Sequence, residues 1–159
     1  MPGLLKGNKL LNNDFRDILS ELCAERVEFL LVGAYALAAH GYPRATGDID
    51  IWIRRSEQNV ECVMKALGNF GAPLMGLTKE DLLNPQVVFQ IGMAPRRIDI
   101  INMIDGVEFD DAWLERKEIE IEGLKIYVIS RHHLLQNKKA SGRPKDQGDI
   151  SWLENPDDD

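Results

Sequence analysis

Asp48-Ile49-Asp50-Ile51-Trp52-Ile53 is the stretch that most narrows what this chain can fold into. Strand side chains point alternately to opposite faces, so Asp48, Asp50 and Trp52 share one face while Ile49, Ile51 and Ile53 share the other. The isoleucines belong on a core, and that fixes the register, because a slip of one residue would turn the carboxylates inward. Both acids therefore emerge on the side away from the isoleucines, about 7 Å apart at their Cα atoms. Carboxylates that close repel each other and add no stability unless positive charge sits between them. A hard divalent cation such as Mg²⁺ suits the pair, since it takes one or two carboxylates together with water and phosphate oxygens. A half-exposed strand with an acidic outer face carries the same pattern, so the context must decide.

Upstream, the apolar run Val27 to Val32 is too short for a surface helix and fits a buried strand. Gly33-Ala34 stands where that run stops and an alanine-rich segment, Ala34 to His40, begins. Small residues there let a short helix lie close to the sheet, with Gly41 and Pro43 as its stop signals.

With 159 residues the chain has the length of one domain able to bury a core. We expect a single domain over 1–159: an N-terminal helix at 13–25, a catalytic core at 27–129, a C-terminal helical segment at 130–154 and an acidic tail at 155–159. A net charge of −7 argues against a general nucleic-acid-binding or membrane-surface protein. Cys23 and Cys62 lie far apart without a metal-ligand context, so neither a disulfide framework nor a zinc site is expected from them. No apolar run approaches the roughly 18 residues of a membrane span, and the N-terminus lacks an apolar signal region. The expectation is a cytoplasmic protein.

Elsewhere the chain alternates helices and strands. Asn12-Asn13 can cap a helix with Phe15, Ile18, Leu19 and Leu22 on one face. Ser56 can cap another, with Val60, Val63, Met64 and Leu67 at helical spacing, and Gly68, Gly71 and Pro73 end it. The stretch 75–85 reads either as a small helix from Thr78 or as a flap. Strands are expected at 87–91 and 97–102 about a turn at 92–95, a weak helix at 109–116, and a hairpin pairing 118–121 with 124–129 around Glu122-Gly123. Ser130 opens a helix to about Ala140, and Gly142 to Asp146 leads to a last helix ending near Leu153.

Asp99 sits mid-strand among isoleucines, sharing a face with Arg97 and Ile101, where a charge needs a reason. Arg96 or Arg97 could satisfy it at the core edge. If its strand instead lies beside that of Asp48 and Asp50, three carboxylates converge. A two-metal phosphoryl-transfer site, with ions about 3.5–4 Å apart, needs such an arrangement.

A Gly with a small residue, a short helix, Asp-x-Asp within a strand and a third Asp on a later strand together resemble the polymerase-beta-like nucleotidyltransferase superfamily. The segments GYPRATGDIDIWI, RRIDIIN and LLQNKKASGRPKDQGDI are similar to its small prokaryotic members, related to the abortive-infection and minimal nucleotidyltransferase toxins. The resemblance covers Val27 to Leu153. It implies an α/β (α+β) fold, a mixed β-sheet flanked by helices, and transfer of a nucleoside monophosphate from an NTP to an acceptor, with release of pyrophosphate. It also implies Mg²⁺ or Mn²⁺ on Asp48 and Asp50, and Asp99 completing the metal site and acting as, or positioning, the base for the acceptor hydroxyl. Gly33, Ala34 and the amides after them would cradle the triphosphate, as helix-start N–H groups do for anions. Arg44 and Thr46 match the Arg-x-Thr-x-Asp run of the subfamily and would touch phosphate or line the pocket. Lys138 and Arg143 match its C-terminal basic segment, with Lys139 and Lys145. One departure concerns Ala34, where the superfamily commonly has Ser or Gly: the close backbone approach is kept, but a hydroxyl for a phosphate oxygen is lost.

Other residues are less informative. His40 reads as a helix-end residue. No carboxylate at metal-ligand spacing accompanies His132 and His133. Trp113 and Trp152 read as packing residues, while Trp52 could stack on a base or merely cover the sheet edge. Two functions follow: an Mg²⁺-dependent nucleotidyltransferase, or a catalytically weak or inactive relative that serves as a binding module in a two-protein, toxin–antitoxin-like system with a small helical partner. The acceptor (a protein, a tRNA or a small molecule) stays open.

Overall fold

The computed structural model describes residues 13–42, 47–93 and 96–155. The apolar stripe of Phe15, Ile18, Leu19 and Leu22 is the buried face of α1 (Asn13–Ala24). Its expected cap at Asn12 lies outside the described residues. After it come β1 (Phe29–Val32), buried throughout, and α2 (Gly33–Ala39), which begins with no loop between. β2 (Asp48–Ile53) keeps its three isoleucines fully buried and its two aspartates half-exposed, as the alternation requires.

α3 (Glu57–Phe70) is capped by the Ser56 hydroxyl, which accepts from the Asn59 amide, and it ends on left-handed Gly71. Gly68 does not end this helix but lies within it, because the stop is made by the left-handed cap and not by the first glycine. At 75–85 the helix reading holds: α4 (Lys79–Leu83) starts on a reciprocal capping box between Thr78 and Asp81. β3 (Val88–Met93) and β4 (Arg96–Ile101) follow, then the short α5 (Phe109–Leu114). β5 (Lys117–Ile121) and β6 (Leu124–Val128) form the expected hairpin, with Glu122 and Gly123 both at positive φ as a tight primed turn needs. α6 (Arg131–Ser141) is capped by Ser130, and a 3-10 turn at Pro144–Asp146 leads into α7 (Gln147–Glu154).

The six strands form one mixed sheet in the order β3-β4-β2-β1-β6-β5. β1 runs antiparallel to β2 and parallel to β6, and β4 runs parallel to β2. α1 and α3 pack on each other, and their apolar faces join Ile49, Ile51 and Ile53 in one core. Asn59 ties α3 to the sheet: its side chain accepts from the Glu28 amide at 2.7 Å and donates to the Glu28 and Arg54 carbonyls at 3.0 and 2.9 Å. Among the described residues no helix is long and apolar enough to cross a membrane.

Candidate active site

Asp48 and Asp50 leave β2 on one face, and its parallel neighbour β4 brings Arg97 directly across from Asp48 and Asp99 directly across from Asp50. Paired residues on adjacent strands lie about 5 Å apart, so Asp50 and Asp99 are in each other's field. On the other flank β1 ends with Val32 opposite Asp50, and the next residue, Gly33, turns the chain into α2. Three strands and one helix start thus meet at Asp50.

Arg97 stands between the acids. Its Nε donates to Asp99 Oδ1 at 2.8 Å, and its Nη2 donates to Asp99 Oδ2 at 3.2 Å and to Asp48 Oδ2 at 3.1 Å. Both sequence readings of Asp99 hold together: it is satisfied by Arg97, and it also joins the other two aspartates. Arg97 brings one positive charge among three carboxylates. The strain shows at Asp50, whose carboxyl is pushed up from an ordinary 3.8 to about 6. Burial is the main cause, followed by the charge of Asp99, the hydrogen bond Asp50 and Asp99 share, and the charge of Asp48, with Arg97 opposing them.

Gly33 is required here twice over. Its φ of +68° is a left-handed conformation that side chains disfavour, and a Cβ at this position would sit 2.2 Å from Asp50 Oδ2. The missing side chain is what lets the carboxylate lie over the strand–helix junction. Gly33 and Ala34 open α2, whose N-cap, Val32, offers no side-chain hydrogen bond to the first turn.

Arg44, Thr46, Lys138 and Arg143 are the other expected site residues. Arg44 and Thr46 are outside the described residues. Lys138 is buried, with its ammonium 3.3 Å from Asp146 and 3.2 Å from Asp149. Arg143 donates through Nε to Asp146 at 2.8 Å. The two cations expected at the phosphates therefore have carboxylate partners of their own, Asp146 in the 3-10 turn and Asp149 in α7. Burial alone would raise Asp146, but its bonds from Arg143 and Ser141 and the charge of Lys138 hold it below its ordinary value.

Trp52 is 1% exposed and meets Phe109 of α5 edge-on, with ring centroids 5.0 Å apart, so it covers the sheet and offers no free face to a base. His40 caps the end of α2 and places Nε2 2.8 Å from the Ile129 carbonyl, and burial above all lowers its pKa. Two residues of the site escaped sequence reasoning. One is Arg97 as a bridge to Asp48. The other is Gln90, exposed on β3 directly opposite Asp99. Only the strand register reveals either.

The donor chemistry fits a hard divalent cation: three carboxylates converge, and burial together with the charges of the other two holds Asp50 toward its protonated form. Asp48, Asp50 and Asp99 are the residues that would hold it.

Residues 9–154 match the model of a family described as nucleotidyltransferases of unknown function (DUF6036). The chain belongs to that family. Solved nucleotidyltransferase structures share its fold. A candidate nucleotidyltransferase from Thermotoga maritima superposes with a TM-score of 0.59 at 20% identity, over 88% of this chain and 90% of that one. The lincosamide antibiotic adenylyltransferase LnuA, solved with lincomycin bound, superposes with a TM-score of 0.57 at 17% identity, over 93% of this chain and 99% of that one. No curated protein sequence matches the chain. The polymerase-beta-like resemblance read from the three sequence segments thus holds as a nucleotidyltransferase family and fold, and the chain is a transferase by that membership.

Proposed function

We propose that this nucleotidyltransferase moves a nucleoside monophosphate from an NTP to an acceptor hydroxyl at the Asp48–Asp50–Asp99 cluster. The observation that carries the reading is the pairing of Asp50 with Asp99 across the β2–β4 ladder, beside the glycine that opens α2. The acceptor oxygen forms a bond to the α-phosphorus, the bond from that phosphorus to the bridging oxygen breaks, and pyrophosphate leaves with the electron pair. A bound Mg²⁺ or Mn²⁺ supplies positive charge for the phosphate oxygens. Asp48, Asp50 and Asp99 hold that ion, and Asp99 also orients the acceptor hydroxyl or takes up its proton. The backbone at Gly33 and Ala34 receives the triphosphate, with Arg44 and Thr46 as further phosphate or pocket contacts. Catalysis of this kind is mostly positioning and electrostatics.

Of the acceptor classes, a small molecule has the most support. LnuA holds lincomycin, and this chain spans nearly the whole of it, so a fold of this extent can hold a small acceptor without a further domain. The alternative is a nucleotidyltransferase-fold binding module in a toxin–antitoxin-like pair. Two observations favour it: Arg97 already engages two of the acids, and Ala34 has no hydroxyl for phosphate.

The test is transfer of label from each α-³²P NTP, with Mg²⁺, into fractions of a cell extract and into a panel of hydroxylated small molecules, with pyrophosphate measured in parallel. Wild type should label an acceptor and release pyrophosphate. Asp48→Ala and Asp99→Ala should abolish both while keeping the circular dichroism of the fold. Absence of label and pyrophosphate with every NTP would hand the chain to the binding-module reading.

A further inference from the structure

Glu115 follows the last residue of α5, and His132 and His133 stand in the first turn of α6. The β5–β6 hairpin separates them in sequence and reunites them in space: Lys117, at its start, pairs with Val128, at its end. Among the described residues, Glu115, His132 and His133 bring one ligand atom each within 4.8 Å of one another. His133 is buried, with Nδ1 3.8 Å from Glu115 Oε1, and the two imidazole centroids are 5.0 Å apart. The Ser130 hydroxyl accepts from the His133 amide at 3.1 Å and lies 3.2 Å from His133 Nδ1, which fixes the ring. The neighbouring cations are turned away. Arg116 lies 4.1 Å over Trp113 and donates to its carbonyl, while Arg131 lies 4.0 Å over Trp152 and donates to that carbonyl.

Two imidazoles and one carboxylate form a donor set unlike the all-oxygen aspartate cluster. Nitrogen-rich sets suit zinc and its neighbours, whereas carboxylates alone suit Mg²⁺. Bonds of about 2.1 Å in a tetrahedral site put donors about 3.4 Å apart. Closing from the present separation is a matter of side-chain rotation, and the two residues that must rotate, His132 and Glu115, are the exposed ones. The buried His133 is the fixed point. We infer that Glu115, His132 and His133 form a binding site for a zinc-class divalent ion that fastens the end of α5 to the start of α6, with water completing its coordination. The partial positive charge at the start of α6 opposes a cation, so binding is of moderate strength.

The test uses the full chain, metal-free, with Asp48→Asn and Asp50→Asn to silence the aspartate cluster. Titration with Co²⁺ should develop visible bands of nitrogen–oxygen ligation, and Zn²⁺ should displace it with one ion per chain by calorimetry. His132→Ala and Glu115→Gln should each weaken binding at least tenfold in protein that keeps its circular dichroism, while joint Cys23→Ser and Cys62→Ser should leave it unchanged. Unchanged affinity in both ligand variants, a thiolate-to-cobalt charge-transfer band, or an ion bound only between two chains by sedimentation would overturn the site. The aspartate cluster takes no part in this experiment, so its outcome is independent of the transferase reading.

Discussion

Removing the charge of Asp50 should stabilise the protein in the absence of metal. The rise of its pKa from 3.8 to about 6 corresponds to about 3 kcal/mol at roughly 1.4 kcal/mol per pH unit. The sign follows from proton counting. Between those two values the native state keeps a proton that the unfolded chain has released, so stability falls as pH rises and the full cost is present above about pH 6. An asparagine side chain at this position does not titrate, is of similar size, and can still donate to Asp99. In EDTA, Asp50→Asn and wild type should therefore unfold alike near pH 4, and the mutant should gain up to about 3 kcal/mol by roughly pH 7.5. For a chain of this size that is several degrees in Tm, at about 2–4 °C per kcal/mol. Saturating Mn²⁺ should reverse the order, because an ion bound only to the native state stabilises wild type by mass action and the mutant has lost a ligand. Denaturant melts across pH, with and without Mn²⁺, measure both effects. A metal-free mutant that is less stable than wild type at neutral pH, or that shows the same pH slope, would refute the argument that these carboxylates repel.

Three other substitutions probe the rest of the arrangement. Arg97→Ala removes the guanidinium that spans Asp48 and Asp99, so it should lower the metal-free Tm and enlarge the rise produced by Mg²⁺, both read by calorimetric melting. Gly33→Ala should cost about 1–2 kcal/mol for the left-handed backbone alone. It should also weaken Mn²⁺ binding, followed by water-proton relaxation, because the new Cβ meets the Asp50 carboxylate. Lys138→Ala should cost about 3–5 kcal/mol by removing the buried ammonium that Asp146 and Asp149 share, whereas Arg143→Ala, from a half-exposed side chain, should cost far less. An unchanged Tm together with weakened NTP binding in Lys138→Ala would return that lysine to the phosphates.

The local pattern of this chain was legible wherever one physical signal dominated. Alternation placed β2 to the residue, Ser56 and Ser130 announced their helices, and Glu122-Gly123 announced its turn. What could not be read was any fact that depends on strand order. Asp99 beside Asp50 was a conditional until β4 proved to be the neighbour of β2, and the second arm of Arg97 exists only because the register sets that residue opposite Asp48. Trp52 was undecided because its cover, Phe109, comes from a segment whose helical signal is weak. The burial of Lys138 was hidden for another reason: its two acids come from the 3-10 turn and from α7, an arrangement that no helical spacing encodes. Glu115 reaches the two histidines across a whole hairpin, so spacing rules gave no hint of it.

The parallel ladder between β2 and β4 also bears on how the chain reaches its native state. Arg97 and Asp48 are 49 residues apart, whereas β4 also pairs with its near neighbour β3 and the hairpin of β5 and β6 needs only a tight turn. Closing the long loop is the costlier event, so docking of the β3–β4 pair onto β2 belongs late in folding. The carboxylates are then still apart in the transition state. Their mutual repulsion acts on the rate of unfolding and hardly on the rate of folding. Stopped-flow measurements should find that Asp50→Asn in EDTA slows unfolding and leaves refolding nearly unchanged; an effect confined to the refolding rate would place this ladder early instead. A protein built this way escapes its own charge problem during folding and meets it only once folded, where the ion of the proposed function would offset it.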